Sequence, residues 1–265
     1  MAVELEQEEL RQMETEAQWI LKEEVHSVLE EVEGVLLECC RRFTLKIGSN
    51  EDNLVKPDKF ILSSPTGSPN MKCVITLMGD SICEADLQVK VHRHQTQIFK
   101  TGIQPDEPWK LQQIQDAGNH LAEALHTVKE HGREHQFKSG EEVTILLDSI
   151  MKSLNTGRTC LVLPKKKTLD ELLNNRNMHC FKPPLPSEVS VSFYVHAQKL
   201  EMAVYQLQHG QPGQKVEIVS RYQGECQVPW LNDVIVLFTL ALQSCQQLKD
   251  KISIIEEYSK SSKGH

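Results

Sequence analysis

Residues 228–255, VPWLNDVIVLFTLALQSCQQLKDKISII, set the strongest limit on what this chain can fold into. Leu231, Val234, Phe238, Ala241, Cys245, Leu248, Ile252 and Ile255 follow one another at intervals of 3, 4, 3, 4, 3, 4 and 3, an unbroken heptad seam. A helix of about 29 residues, roughly 43 Å long at 1.5 Å per residue, puts them all on one side. Ile235, Leu237 and Leu242 widen the stripe in the first half, which predicts burial nearly all round there, while the second half is amphipathic. The nearly unbroken apolar run 234–242 falls far short of the roughly 20 residues a bilayer-spanning helix needs. The start, MAVELEQEEL, has neither the basic residues nor the apolar run of a secretory signal, and Ala2 and the ending SSKGH match no common lipid anchor.

Three further segments share the rhythm. Leu21, Val25, Val28, Val32, Val35 and Cys39 form one seam, with Ile20, Leu29 and Leu36 beside it. Leu111, Ile114, Gly118, Leu121, Leu125 and Val128 form a second, and Val143, Leu147, Ile150 and Leu154 a third. The third opens on SGEE, where Ser139 and Glu142 have capping-box spacing, and a short helix is expected after Thr168 with Glu171 in the same role. A loop around Gly132 separates the second and third seams. Between the helices the period changes to two: residues 72–78, 85–91, 96–100, 188–196, 200–207 and 215–222 read as strands, with Val189, Val191, Phe193 and Val195 on one face. Strands within 59–103 and 187–228 most simply pair into one antiparallel sheet. The expected fold is α+β: an antiparallel four-helix, zipper-like bundle from 1–50, 104–180 and 229–265, and a separate small antiparallel β domain from 51–103 and 181–228. Each return from strand to helix passes through Pro-Trp, at 108–109 and 229–230. Proline suits a first helical position, and Trp109 and Trp230 are read either as wedges between bundle and sheet or as ordinary bundle core.

Four seamed helices in one chain predict that the seams cover one another within that chain and not across a two-chain zipper. The charge of the 265-residue chain is uneven. Residues 1–40 hold 12 Glu against Arg11 and Lys22, a net of −10, whereas the remainder is net +2. That bias opposes nucleic-acid binding and makes the first helix either a solvated face or a docking face for a basic partner. Eight scattered cysteines with no Cys-x-x-Cys pair fit reduced thiols used as small apolar residues, in keeping with a cytoplasmic setting.

One segment invites a catalytic reading. VITLMGDSI, residues 74–82, ends a strand on Gly-Asp-Ser, resembling the first block of the SGNH/GDSL hydrolases with Ser81 as nucleophile. Such a serine needs a base, yet no Asp-x-x-His occurs in the chain, Asn232 and Asp233 match a further block only weakly, and the alternating βα pattern is missing. A strand-end turn is the competing reading. His92 and His94 sit two apart on a strand without a companion ligand, and His179 beside Cys180 is no stronger. PKKK at 164–167 reads as solvated lysines. Gln112, Gln113 and Gln115, like Gln243, Gln246 and Gln247, read as polar helix faces, with amide bonds to a partner helix as the alternative. No glycine-rich phosphate loop is present. Catalytic, cofactor-binding and metal-binding residues are therefore expected to be none.

WKLQQIQDAGNH (109–120), QFKSGEEV (136–143) and PWLNDVIVLFTLALQSCQQLKDKIS (229–253) resemble the Rogdi family of leucine-zipper-domain proteins, and WILKEEVHSVL (19–29), RFTL (42–45) and LPSEV (185–189) extend the likeness end to end. Stretches 46–58, 157–180 and 208–220 resemble the family least, so the lysine loop takes no family function. The resemblance implies a helical bundle with a small β domain and a non-enzymatic subunit similar to the small subunit of the RAVE complex. Its implied partners are a rabconnectin-type large subunit and peripheral-sector subunits of the vacuolar proton-pumping ATPase, whose assembly it promotes. Synaptic or other acidic vesicles, neurons and the nuclear envelope are the implied settings, with membrane association through partners. A hydrolase using Ser81 and a coiled-coil protein unrelated to the pump are the alternatives.

Overall fold

The computed structural model describes residues 2–43, 57–65, 67, 70–92, 96–208 and 216–262, without the side chains of 2–7, 9, 10, 92 and 258–262. The chain is α+β. Its helices are α1 (Ala2–Trp19), α2 (Val25–Phe43), α3 (Gln112–Glu130), α4 (Gly140–Val162), α5 (Leu169–Leu173) and α6 (Pro229–Ser262), with two antiparallel sheets. It divides into two compact units, one of residues 1–41, 118–158 and 236–265 and one of residues 42–117 and 159–235.

The first unit is helical. Its share of the predicted seams, from Leu121 through Val128, from Val143 through Leu154 and from Phe238 through Ile252, is buried within the single chain. The first seam is shifted. A π turn (Ile20–Glu24) joins α1 to α2, and the deep positions are Ile20, Val25, Leu29, Val32, Leu36 and Cys39, the first interval being five residues. One extra residue in the turn rotates Ile20 onto the stripe that Leu21 would otherwise hold. Leu21, Val28 and Val35 are consequently only half-buried.

Polar contacts set the neighbours within this unit. Lys251 Nζ bonds Glu24 Oε2 at 2.7 Å, Ser244 Oγ bonds Glu31 Oε1 at 3.4 Å, and Lys249 Nζ meets Asp148 Oδ1 at 2.5 Å. The Arg133 fork grips both oxygens of Glu30. Gly157 lets α4 come close to its neighbours: a Cβ there would lie 3.2 Å from both the Phe238 ring and His120 Cβ. The predicted box at the start of α4 half forms. Glu142 donates its N–H to Ser139 Oγ at 3.2 Å, but its carboxylate takes the Lys138 N–H and His135 instead. The expectation of burial nearly all round early in α6 is overturned, because Val236 and Leu240 remain 47% and 46% exposed.

The second unit holds the strands: β1 (Asp58–Leu62), β2 (Met71–Met78), β3 (Ser81–His92), β4 (Thr96–Ile103), β5 (Trp109–Lys110), β6 (Phe181–Lys182), β7 (Val189–His196), β8 (Lys199–Gln208) and β9 (Glu217–Gln227). The single expected sheet is two, of order β1-β2-β3-β4-β6 with β5 on β3, and β7-β8-β9. Tight turns at 79–80 and 197–198 pair each strand with its chain neighbour, so each run closes separately. One bridge, Ser63 to Glu225 at 3.0 and 2.9 Å, links the runs. It goes no further, since the residue two on from Ser63 is Pro65, which has no N–H to offer. β9 lies against β2 where residue 224 is glycine; a Cβ would come within 2.4 Å of Met71 Cε.

Val189, Val191, Phe193 and Val195 are buried together as predicted, and the opposite face of β7 is buried too. α5, held by the complete Thr168 and Glu171 capping box, sets Leu172 against Tyr194, Ala203, Tyr205 and Leu207. Pro229 opens α6 as expected. Pro108 does not open α3, because Trp109 joins β5, pairs with Ile82 and packs at 5.7 and 5.1 Å from the Phe181 and Phe193 rings. Trp230 is half-buried, edge-on to Phe43 at 6.0 Å.

The rotated stripe has a measurable consequence. Leu36→Ala removes a fully buried side chain and is expected to cost about 2–5 kcal/mol, whereas Val35→Ala one position away is expected to cost under about 1 kcal/mol. Urea denaturation followed by circular dichroism separates the two, and equal losses would contradict the rotated stripe.

Candidate functional site

The β2–β3 turn brings together the residues the sequence singles out for chemistry. Gly79 turns with φ +59°, so that Asp80 and Ser81 face the start of α3. Ser81 Oγ donates to Asp80 Oδ1 at 2.5 Å and accepts from Lys110 Nζ at 2.8 Å. Gln115 Nε2 donates to Asp80 Oδ2 at 2.8 Å, and the Leu111 N–H donates to the Asp80 carbonyl at 2.8 Å. Burial alone would raise the Asp80 pKa, but hydrogen bonds from Ser81 and Gln115 and the nearby Lys110 together hold it below the ordinary aspartate value.

A serine beside a lysine has the outline of a Ser-Lys dyad, yet the protons run the wrong way. A dyad needs a neutral amine in a dry pocket to accept the hydroxyl proton. Here the amine donates to the hydroxyl, leans on a carboxylate 3.5 Å away and is 54% exposed, while Ser81 itself is only 4% exposed. The corner is built to hold. Asp80 clamps the hairpin turn to the segment from Lys110 to Gln115.

A second convergence lies at Gln113, which is buried and is not part of a polar helix face. Its Nε2 shares two hydrogens among the carbonyls of Cys160 (2.7 Å), Leu163 (3.0 Å) and Val195 (3.1 Å), and its Oε1 accepts the Val195 N–H at 2.9 Å. One carboxamide thus ends α4 and pairs with the free edge of β7 as a neighbouring strand would. Asn175 Nδ2 donates to the Val191 carbonyl at 2.7 Å, and the Val191 N–H reaches Met178 Sδ at 3.3 Å. The β7 edge is therefore covered at Val191 and Val195. Gln113 stands four residues before Ala117 on a stripe that continues to Leu121 and Ala124, all buried, and that spacing was the available signal.

A third polar group sits on β7, β8 and β9. Buried Glu201 accepts from Tyr194 Oη at 2.7 Å and from Gln223 Nε2 at 2.6 Å, and meets His196 Nδ1 at 2.8 Å. Arg221 Nη2 donates to Tyr194 Oη at 2.9 Å. Burial and the bond to Glu201 push the Tyr194 pKa up. Glu201 shares a strand face with Ala203 and Tyr205, so an acid in an apolar alternation was the sequence signal for it. With both oxygens engaged, this carboxylate ties β7, β8 and β9 together.

The remaining candidates fall into place individually. Two of the three lysines at 165–167 are engaged: Lys165 pairs with Asp116 at 3.0 Å, and Lys167 lies over the Trp109 ring and bonds Asn175. His179 Nε2 is 3.9 Å from Cys180 Sγ, but burial pushes that thiol up rather than down, opposite to an activated cysteine. His94 and the His92 side chain lie outside the described residues. All eight cysteines are free and six are buried; burial raises Cys40, Cys73 and Cys245 to about 12. No group of three metal-ligating side chains and no helix long and apolar enough to cross a membrane occurs among the described residues. What stays open is surface. On the outer side of β4, Gly102 and Ile103 pair with Lys182 and Phe181, and the described side chains of α1 are exposed or half-buried throughout.

The family model described as Rogdi leucine zipper containing protein matches residues 16–223. The chain is similar to Protein rogdi of Drosophila melanogaster, 42% identical over 259 residues that cover 97% of this chain and 94% of that one. It is similar also to Protein rogdi homolog of Homo sapiens, 38% identical over 270 residues covering 93% of each, and to that of Caenorhabditis elegans, 30% identical over 257 residues covering 89% and 86%.

Two outcomes test this reading of the polar centres. Gln113→Ala strands buried backbone groups of β7 and α4, at about 1–3 kcal/mol for each group left unpaired, and is expected to lower the unfolding midpoint far more than Gln112→Ala. Asp80→Asn is expected to destabilise at neutral pH. The folded Asp80 pKa lies below its unfolded value, so the wild-type advantage is complete above the unfolded pKa of about 4. It fades as pH falls through the lower folded value. Urea titrations from pH 7 to pH 2 check this, and a difference between the proteins that grew in acid would contradict it.

Proposed function

This chain belongs to the Rogdi leucine-zipper family, and from that premise we propose that it is a non-enzymatic adaptor subunit of a RAVE/rabconnectin-type complex that promotes assembly of the vacuolar proton-pumping ATPase. The observation that carries the proposal is the family match, which runs over nearly the whole length of this chain and of its relatives. Its physical support is that the polar centres at Asp80, Gln113 and Glu201 spend their hydrogen bonds on the fold itself. On this reading the partners are a rabconnectin-type large subunit and peripheral-sector pump subunits. The protein reaches synaptic or other acidic vesicles through them, with the nuclear envelope as a further location.

The long helical segments act, in the same proposal, as an antiparallel four-helix bundle that spaces the docking surfaces. The contacts of Glu24 with Lys251 and of Glu31 with Ser244 run in opposite chain directions, as do those of Asp148 with Lys249 and of Gly157 with Phe238. That alternation is what such a bundle requires.

Co-precipitation of the full chain from neuronal extract at rising salt tests the assignment. Rabconnectin-type and pump subunits are expected to dominate the captured proteins. Docking on the acidic helices predicts loss of capture as salt shortens the Debye length from about 10 Å at 0.1 M to about 3 Å at 1 M, whereas strand addition at β4 predicts capture that persists. Absence of all pump-associated proteins at low salt would remove the assignment.

A further inference from the structure

The face of α6 that points away from the buried seam is unusual. Between Val234 and Gln247 the helix has no charged residue, a span of 14 positions or about four turns. Yet Val236, Leu240, Gln243 and Gln247, spaced 4, 3 and 4, are exposed. An outward helix face is ordinarily where charge collects. Depletion of charge around exposed aliphatic groups is instead the composition of an interface core.

The flanking helix supplies the other half of a groove. Glu24 and Glu31 on the long N-terminal helix meet Lys251 and Ser244, seven residues further along one helix and seven residues back on the other. Continued four residues more, this antiparallel register sets half-buried Val35 level with Leu240. Gly34 beside it leaves the approach open, with nothing within 4 Å of the place a Cβ would take. The floor is therefore aliphatic and amide, and the helix beside it is acidic, with Glu30, Glu31, Glu33 and Glu38 and no lysine or arginine between Val25 and Cys40. The helical unit carries 21 acidic and 12 basic side chains, a net of −9, whereas the rest of the chain is net +1.

We infer that the stripe through Val236 and Leu240, with Val35 beside it, is a docking groove for a basic amphipathic helix of a partner protein. Aliphatic residues three and four apart on the incoming helix cover Val236, Leu240 and Val35, its amides or hydroxyls meet Gln243 and Gln247, and its lysines and arginines face the glutamates of the N-terminal helix. A second copy of this chain is disfavoured as occupant, because two units of net −9 repel, and an anionic lipid surface is disfavoured for the same reason. The inference deepens the adaptor reading and rests on it by naming the chemistry of one partner segment.

The test uses the purified full chain and two fluorescein-labelled synthetic 21-residue helices with leucine at the seam positions, one with lysine and one with glutamate elsewhere. Anisotropy is expected to show binding of the lysine helix that weakens with salt, and at least tenfold weaker binding of the glutamate helix. Val236→Gln with Leu240→Gln removes the apolar floor without changing charge and is expected to weaken the lysine helix at least fivefold. Val236→Lys with Leu240→Lys is expected to abolish binding, and the glutamine pair stands alone if the lysine pair perturbs the circular dichroism spectrum. Unchanged binding by the glutamine pair would mean that the peptide sits on acidic surface elsewhere, and would overturn the groove. Equal binding of the two helices would overturn the basic occupant. A wild-type dimer in sedimentation that the lysine pair dissociates would assign the face to a second copy and overturn it likewise. None of these outcomes depends on a cellular partner. A failed co-precipitation with intact peptide discrimination removes the pump assignment alone, and the reverse pattern removes only the groove.

Discussion

A strand with both faces buried still has an edge, and the backbone groups along that edge must find partners where water cannot reach. β7 meets this constraint at Val191 and Val195 without a second strand. Gln113 bonds both the N–H and the carbonyl of Val195, Asn175 takes the Val191 carbonyl, and Met178 takes the Val191 N–H. The pieces that supply these groups, α3 and the segment after α5, are thereby fixed in place. The same Gln113 amide also reaches the carbonyls of Cys160 in the last turn of α4 and of Leu163 just after it, so one side chain commits the ends of two helices and the edge of a sheet to a single arrangement. Carboxamide is the one side-chain chemistry that carries a donor and an acceptor in the geometry of a peptide unit, which is why leucine of similar size would not serve.

The Asp80 corner works by the same logic. Its carboxylate and carbonyl collect Ser81, Lys110, Gln115 and the Leu111 N–H from one continuous segment and the turn facing it. Reactivity in a serine depends on a partner that removes its proton. Ser81 has one partner that takes its hydrogen bond and another that supplies one, so its oxygen is held at both ends. Strength of local hydrogen bonding is here the opposite of reactivity.

Legibility in the sequence followed the range of each interaction. The seams of α3, α4 and α6, the strand positions and the Thr168 capping box depend on periodicity or near neighbours, and their residues stand out in the sequence. The π turn at 20–24 was hidden because both stripes, through Val28 and Val35 or through Leu29 and Leu36, are equally apolar. Only packing chooses between them. The split into two sheets was hidden because alternation specifies a strand and not its partner. Trp109 misled because Pro-Trp suits a helix start, while the Phe181 and Phe193 that claim the indole lie more than seventy residues away. Gln113 and Glu201 were visible only as polar residues on stripes that otherwise bury.

Where polar groups are exhausted by the fold and where they are absent from exposed surface are complementary facts. The second unit spends its amides and carboxylates inward, bracing the β7 edge at Val191 and Val195 and closing the hairpin corner. The first exposes single apolar side chains at Trp19, Ile145 and Ile254 and a charge-free stripe along the outer side of α6, and that stripe is flanked by a helix whose acids partly pair within the chain, Glu24 with Lys251 and Glu38 with Arg41. An exposed Leu240 costs little by itself, since single surface aliphatics are normal. Four uncharged turns on one exposed face are a different matter, because substitution by lysine or glutamate there would improve helix solvation at no packing cost. A face that forgoes that gain is one whose working state is covered.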